Sequence, residues 1–162
     1  FRGATSQQRP PRVSLVVRQW RVTMGMDLSG AGGYFRWTTS EWYDLLEIAS
    51  EFGWVPIGTG PPTGILKADW GDGTYDSNEG QRFYARDARA FANSLERALV
   101  AFSEGKAKKR TRAARSFDRL AASLTGVKKP GARTPVHKLN PEAINNIREF
   151  IAFCRAGSFR IY

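Results

Sequence analysis

The chain is poor in the side chains that most often build metal sites and covalent links. Among its 162 residues it has one cysteine, Cys154, and one histidine, His137. A single cysteine excludes an intramolecular disulfide. One cysteine and one histidine are also too few to provide the ligands of a Cys/His zinc site. Cys154 continues an apolar helical stripe, so we expect a buried thiol rather than a nucleophile that works with His137. We therefore expect no metal and no cofactor, and we favour a non-enzymatic protein over an enzyme.

Long apolar runs are missing as well. No segment approaches the roughly 18 consecutive apolar residues of a membrane-spanning helix, so we expect no membrane insertion. Aromatic residues, in contrast, make up 12% of the chain, with ten Phe, five Trp and five Tyr. This content argues against global disorder, because disordered chains contain few aromatics.

Acidic residues are absent from the first 23 positions, which carry five arginines. Residues 24–103 have a net charge of −5 and residues 104–162 a net charge of +10, so the whole chain carries +10. Such asymmetry indicates an anionic partner or pairing between parts of the chain. We interpret residues 1–23 as a basic N-terminal extension, and sequence upstream of the natural start is favoured over a transit peptide. Residues 24–162 have the length of a single helical domain.

Four segments have the apolar spacing of amphipathic helices. The first has a clear start and end, because Thr38 and Glu41 have capping-box spacing and Gly53 suits the position after the last turn. We predict a mainly α fold: a compact bundle of about four helices with a few short β-strands and one long Gly/Pro-rich loop. The predicted helices lie within residues 38–53, 87–105, 108–124 and 140–157, and the extended pieces that could form a small sheet are residues 34–37, 81–83 and 159–162.

The long loop follows the first helix, over residues 54–79, where three prolines and several glycines preclude a continuous helix. A loop of this length in a compact domain is often functional. Aromatic and amide side chains in it suit the recognition of a partner protein. We therefore predict a partner-binding surface formed by Trp70, Tyr75, Asn78 and Gln81. The alternative is that Trp70 and Tyr75 fold back and fill the core.

The same loop contains an acidic cluster within residues 69–79, around two glycines. Its spacing does not match a calcium-binding loop, and a turn in which Asp76 and Asn78 bond the local backbone is the favoured interpretation. Its carboxylates leave open a small hydrolase or transferase, although spacing alone cannot nominate a pair for acid–base catalysis.

A basic segment begins the third predicted helix and gives a nucleic-acid-binding alternative. Six cations in ten residues could neutralise several phosphates. The competing interpretation is a solvated face that pairs in part with Asp44, Glu47 and Glu51, the acidic side of the first helix. The candidate nucleic-acid-binding residues are Lys106, Lys108, Lys109, Arg110, Arg112 and Arg115.

Several motifs give the chain a recognisable signature. The start Gly25-Met-Asp-Leu-Ser-Gly, the helix Trp42-x-x-Leu-Leu, the turn Phe52-Gly-Trp-x-Pro-x-Gly-Thr and the later Asn78-x-Gly-Gln stand in order along the chain. Together they resemble a group of small bacterial proteins with no known activity. The resemblance implies a bacterial, cytoplasmic origin. The basic segment within residues 104–138 lies outside it. We predict a protein-interaction function first, with nucleic-acid binding and hydrolase or transferase activity as alternatives.

Overall fold

The computed structural model describes residues 25–71, 73–104, 111–124 and 141–162. The predicted extension over residues 1–23 and the basic loop after the third helix therefore lie outside the described residues. The elements in chain order are β1 Gly25–Gly30, β2 Gly33–Thr38, α1 Thr39–Glu51, α2 Lys67–Trp70, β3 Gln81–Phe83, α3 Ala85–Ser103, α4 Arg112–Leu124, α5 Pro141–Ala156 and β4 Phe159–Ile161.

Helix α1 begins and ends as its sequence predicts. The Thr38 hydroxyl accepts a hydrogen bond from the Glu41 N–H at 3.3 Å, and the Glu41 carboxylate accepts from the Thr38 N–H at 2.8 Å. Gly53 has a φ of +91°, and the next N–H, that of Trp54, bonds the Ala49 carbonyl at 2.9 Å. These are the bonds of a capping box and of a Schellman end. The chain therefore leaves α1 at a defined angle, which sets the start of the long loop.

The sheet has one more strand than we predicted. All three pairings are antiparallel, and the strand order is β2-β1-β4-β3. Strand β1 is not among the three predicted extended pieces, yet it lies between β2 and β4. Its burial alternates, with Met26 and Leu28 inside, as a half-buried strand requires. Gly60, from the long loop, adds a short bridge to Arg82 at the β3 edge.

One hydrophobic core connects the helices and the sheet. Helix α1 packs against both α3 and α4, and α3 packs against α5. Aromatic rings join the layers, since Phe83 of β3 stacks on Phe159 of β4 at 4.6 Å between ring centroids and Phe102 of α3 stacks on Phe117 of α4 at 4.2 Å. Each long helix contributes buried leucine or isoleucine to this core: Leu45, Leu95, Leu120 and Ile147.

The fold is thus mainly helical with a small antiparallel sheet, and the compact bundle of about four helices stays a prediction. None of the helices in the described ranges is both long enough and apolar enough to cross a lipid bilayer.

Candidate partner-binding site

The long loop is attached to the core through a buried carboxyl group on α3. Asp87 lies in the first turn of α3, where the helix dipole favours an acidic side chain, and it is only 1% exposed. One of its oxygens accepts a hydrogen bond from Trp54 Nε1 at 2.8 Å, and the other accepts from the Tyr75 hydroxyl. Both ends of the loop are therefore tied to one residue.

Tyr75 is the deepest point of this attachment. Its carbonyl accepts a hydrogen bond from Trp42 Nε1 at 2.6 Å, and its ring meets Trp54 and Phe83 edge-on. Burial, and after it the hydrogen bond to Asp87, raises the pKa of the Tyr75 hydroxyl. Tyr75 therefore folds back and fills the core, as the alternative prediction states.

Gln81 organises the end of the loop from inside. Its side chain is fully buried. The amide nitrogen donates to the Ser77 hydroxyl at 2.9 Å and to the Thr74 carbonyl at 3.3 Å, while the amide oxygen accepts from the Glu79 N–H at 2.9 Å. One side chain thereby provides hydrogen-bond partners for two backbone groups, the Glu79 N–H and the Thr74 carbonyl, in a turn outside regular secondary structure.

The four predicted partner residues therefore do not share one open surface. Tyr75 and Gln81 are buried, Trp70 is half-buried, and Asn78 is exposed. Trp70 Nε1 donates to the Thr59 hydroxyl at 3.2 Å, which closes the middle of the loop. A partner could reach Tyr75 or Gln81 only if the loop moved, because both side chains are buried and make their hydrogen bonds within the domain.

The anchored loop directs aliphatic side chains to the outside. Val55 is 75% exposed and Leu66 is 71% exposed, values more typical of lysine than of aliphatic residues. Five of the eight large exposed hydrophobic residues in the described ranges lie in this loop or on the neighbouring face of α1: Tyr43, Val55, Ile57, Ile65 and Leu66. The sequence analysis did not name these residues. The available signal was the presence of several aliphatic side chains in a Gly/Pro-rich loop.

Two adjoining grooves are lined by Tyr43 and Ile57 from this set, Tyr43 in both and Ile57 in one. The first, which we call the apolar groove, lies between α1 and the loop and has a volume of about 870 Å³. Its walls include Tyr43, Leu46, Trp54, Ile57 and Tyr84. The second, which we call the charged groove, lies between α1 and α4, has a volume of about 990 Å³ and shares the first three of these residues. The two grooves therefore form one cleft along α1.

Ion pairs between α1 and α4 line the charged groove. Arg119 contacts Asp44 through two nitrogens, at 2.9 and 2.5 Å, and Arg112 Nε lies 2.6 Å from Glu47. Burial raises the pKa of Asp44 above its ordinary value despite Arg119. The hydrogen bond from Ser116, together with Arg112, lowers the pKa of Glu47. The expected pairing of the basic helix with the acidic side of α1 is thus confirmed for Arg112 and Arg119.

The predicted nucleic-acid-binding residues are only partly described. Lys106, Lys108, Lys109 and Arg110 lie outside the described residues. Arg112 and Arg115 are both exposed near the start of α4. Arg112 is committed to Glu47, whereas Arg115 has no ion pair among the residues that the structure describes.

The remaining candidates for chemistry do not converge. Asp69, Asp76 and Glu79 are exposed, and of these only Asp76 lines the apolar groove. Cys154 is buried, which raises the pKa of its thiol well above the ordinary value, as an inert core cysteine requires. His137 lies outside the described residues. Within the described ranges, no three His, Cys, Asp or Glu side chains come together in a way that could bind a metal ion.

We compared the chain with known proteins after establishing the geometry of the cleft. Comparison with protein-family models, with curated proteins and with solved structures finds no match to this chain. The resemblance carried by the motifs thus stays a prediction, and the function is argued from the geometry of the cleft.

Proposed function

We propose that this chain is a non-enzymatic protein-interaction domain whose contact surface is the apolar groove. The observation that carries the proposal is the exposure of Val55, Ile57 and Leu66 on a loop whose other side chains are anchored inside. Ile57 and Tyr43 both line this groove, and apolar surface in a groove commonly marks a site that another molecule covers.

The anchoring favours binding because it fixes the surface in advance. Hydrogen bonds to Asp87, and those made by Gln81, hold the loop against the rest of the domain. A preorganised loop loses little conformational entropy when it binds. Burying a side chain such as Ile57 or Leu66 contributes about 1.5–3 kcal/mol. Association itself costs about 4–15 kcal/mol, so several such contacts are needed before binding becomes measurable.

Substitutions on the loop test this proposal. The Ile57→Asp, Leu66→Asp double variant places charges on the surface, and Val100→Asp introduces the same chemistry on the exposed side of α3. A partner purified on the wild-type chain should bind Val100→Asp normally in calorimetry and lose at least tenfold in affinity for the double variant, about 1.4 kcal/mol. Equal affinity for the double variant and the wild type contradicts the proposal.

Nucleic-acid binding is the second candidate, and Arg115 favours it. This exposed arginine has no ion pair in the described part of the chain and follows four further cations within residues 106–110. A phosphate contact by Arg115 would give binding that weakens steeply with salt. Arg112 and Arg119 support it less, since both pair with acids of α1. Failure of the chain to bind an oligonucleotide at low salt eliminates this candidate.

A further inference from the structure

We infer that the partner presents a peptide segment in which acidic side chains stand beside apolar ones. The inference rests on the proposed function, because it extends the same site from the apolar groove into the charged groove. Tyr43, Leu46 and Trp54 line both grooves, so a bound segment can pass from one to the other without leaving the surface.

The charged groove offers positive charge to a ligand although it contains both signs. Its acids point inward: the Asp44 side chain is 8% exposed and that of Glu47 is 25% exposed, and both are occupied by α4. Glu51, which is exposed, accepts a hydrogen bond from the Ala113 N–H at the start of α4. The cations point outward, since the Arg112 side chain is 78% exposed.

Arg115 adds a cation that pairs with no acid of the described residues. It lines the charged groove, is exposed, and has no ion pair among the described residues. An acidic side chain of a ligand would therefore meet Arg115 without displacing an existing contact. Apolar side chains a few residues away along the ligand would meet Leu46, Tyr43 and Ile57 in the apolar groove.

The charge and shape of the site favour such a peptide over other occupants. Two copies of a chain that carries +10 repel each other, which disfavours a second copy. Nucleic acid has the required negative charge but no aliphatic side chains to cover Ile57 and Leu66. A lipid bilayer offers no separate acidic and apolar groups spaced to match the charged groove and the apolar groove. An acidic, apolar segment matches both grooves at once.

Selection from a random-peptide display library on the purified full chain tests the inference. Enriched peptides should combine Asp or Glu with Leu, Ile or Phe. In fluorescence anisotropy, one enriched peptide is titrated against the wild type, Ile57→Asp, Arg115→Glu and the control Val100→Asp. We expect Ile57→Asp and Arg115→Glu each to weaken binding about tenfold, with Val100→Asp unchanged, and added salt to weaken binding to the wild type. If Ile57→Asp fails to fold, the milder Ile57→Ser takes its place.

The outcomes separate this inference from the proposed function. In one outcome, the enriched peptides lack acidic residues, bind Arg115→Glu as tightly as the wild type and lose affinity only for Ile57→Asp. That result overturns the inference and leaves the proposed function standing. Peptides that ignore both substitutions, or a selection without enrichment, overturn both. Dependence on Arg115 alone, shared with binding of a DNA oligonucleotide, overturns the peptide assignment in favour of nucleic acid.

Discussion

Replacing Asp87 should release the long loop from the core. Asp87→Ala leaves Trp54 Nε1 and the Tyr75 hydroxyl buried without an acceptor. Each such donor costs about 1–3 kcal/mol, so the pair costs about 2–6 kcal/mol. Loss of the acidic group from the first turn of α3 adds about 0.3–1 kcal/mol. Domains of this kind have a total stability of about 5–15 kcal/mol, so the substitution removes a large part of it.

Urea unfolding followed by tryptophan fluorescence measures this loss. We expect the midpoint for Asp87→Ala to fall strongly with little change in the slope. Asp69→Ala, an exposed acid elsewhere on the same loop, is the matched control and should stay within about 0.5 kcal/mol of the wild type. Asp87→Asn keeps one acceptor and should fall between the two. An Asp87→Ala variant as stable as Asp69→Ala would refute the reasoning that the loop is anchored at this point.

Three further outcomes follow from single residues. The folded state raises the pKa of the Tyr75 hydroxyl, so the stability that the neutral hydroxyl contributes is complete below the unfolded pKa of about 10 and is lost as pH rises above it. Tyr75→Phe has no hydroxyl to ionise. Relative to its own stability at neutral pH, this variant should therefore unfold at a higher alkaline pH than the wild type. The buried Cys154 thiol should react with a maleimide only as fast as the chain unfolds, measured by mass spectrometry. Gly53→Ala should lower stability by about 1 kcal/mol in thermal melts, because its φ of +91° strains any other residue.

Local signals in the sequence were sufficient for the four long helices, whereas the short helix α2 was missed within the predicted loop. Thr38, Glu41 and Gly53 act within a few residues of each other, so the start and end of α1 could be predicted from spacing alone. The pairing of α1 with α4 could also be anticipated, because an acidic face and a basic face were both visible. Its particular contacts, such as Arg119 with Asp44, needed the antiparallel packing of the two helices.

Non-local contacts explain what the sequence did not reveal. Strand β1 has glycine at both ends and gains its place by pairing with β4 at the far end of the chain. In the loop, polar and aromatic residues were expected outside. The partner that draws Tyr75 and Trp54 inside is Asp87, on the next long helix, and this leaves Ile57 exposed. Composition cannot reveal which side chains find partners across the fold.

Hydrogen–deuterium exchange of the full chain, alone and with an enriched acidic–apolar peptide, tests the central claim most directly. We predict slower exchange over residues 56–59 and 73–76, which border the apolar groove, and over residues 111–115 at the charged groove. Protection confined to other parts of the chain, such as β2 or α5, would contradict the assignment of this cleft as the binding surface.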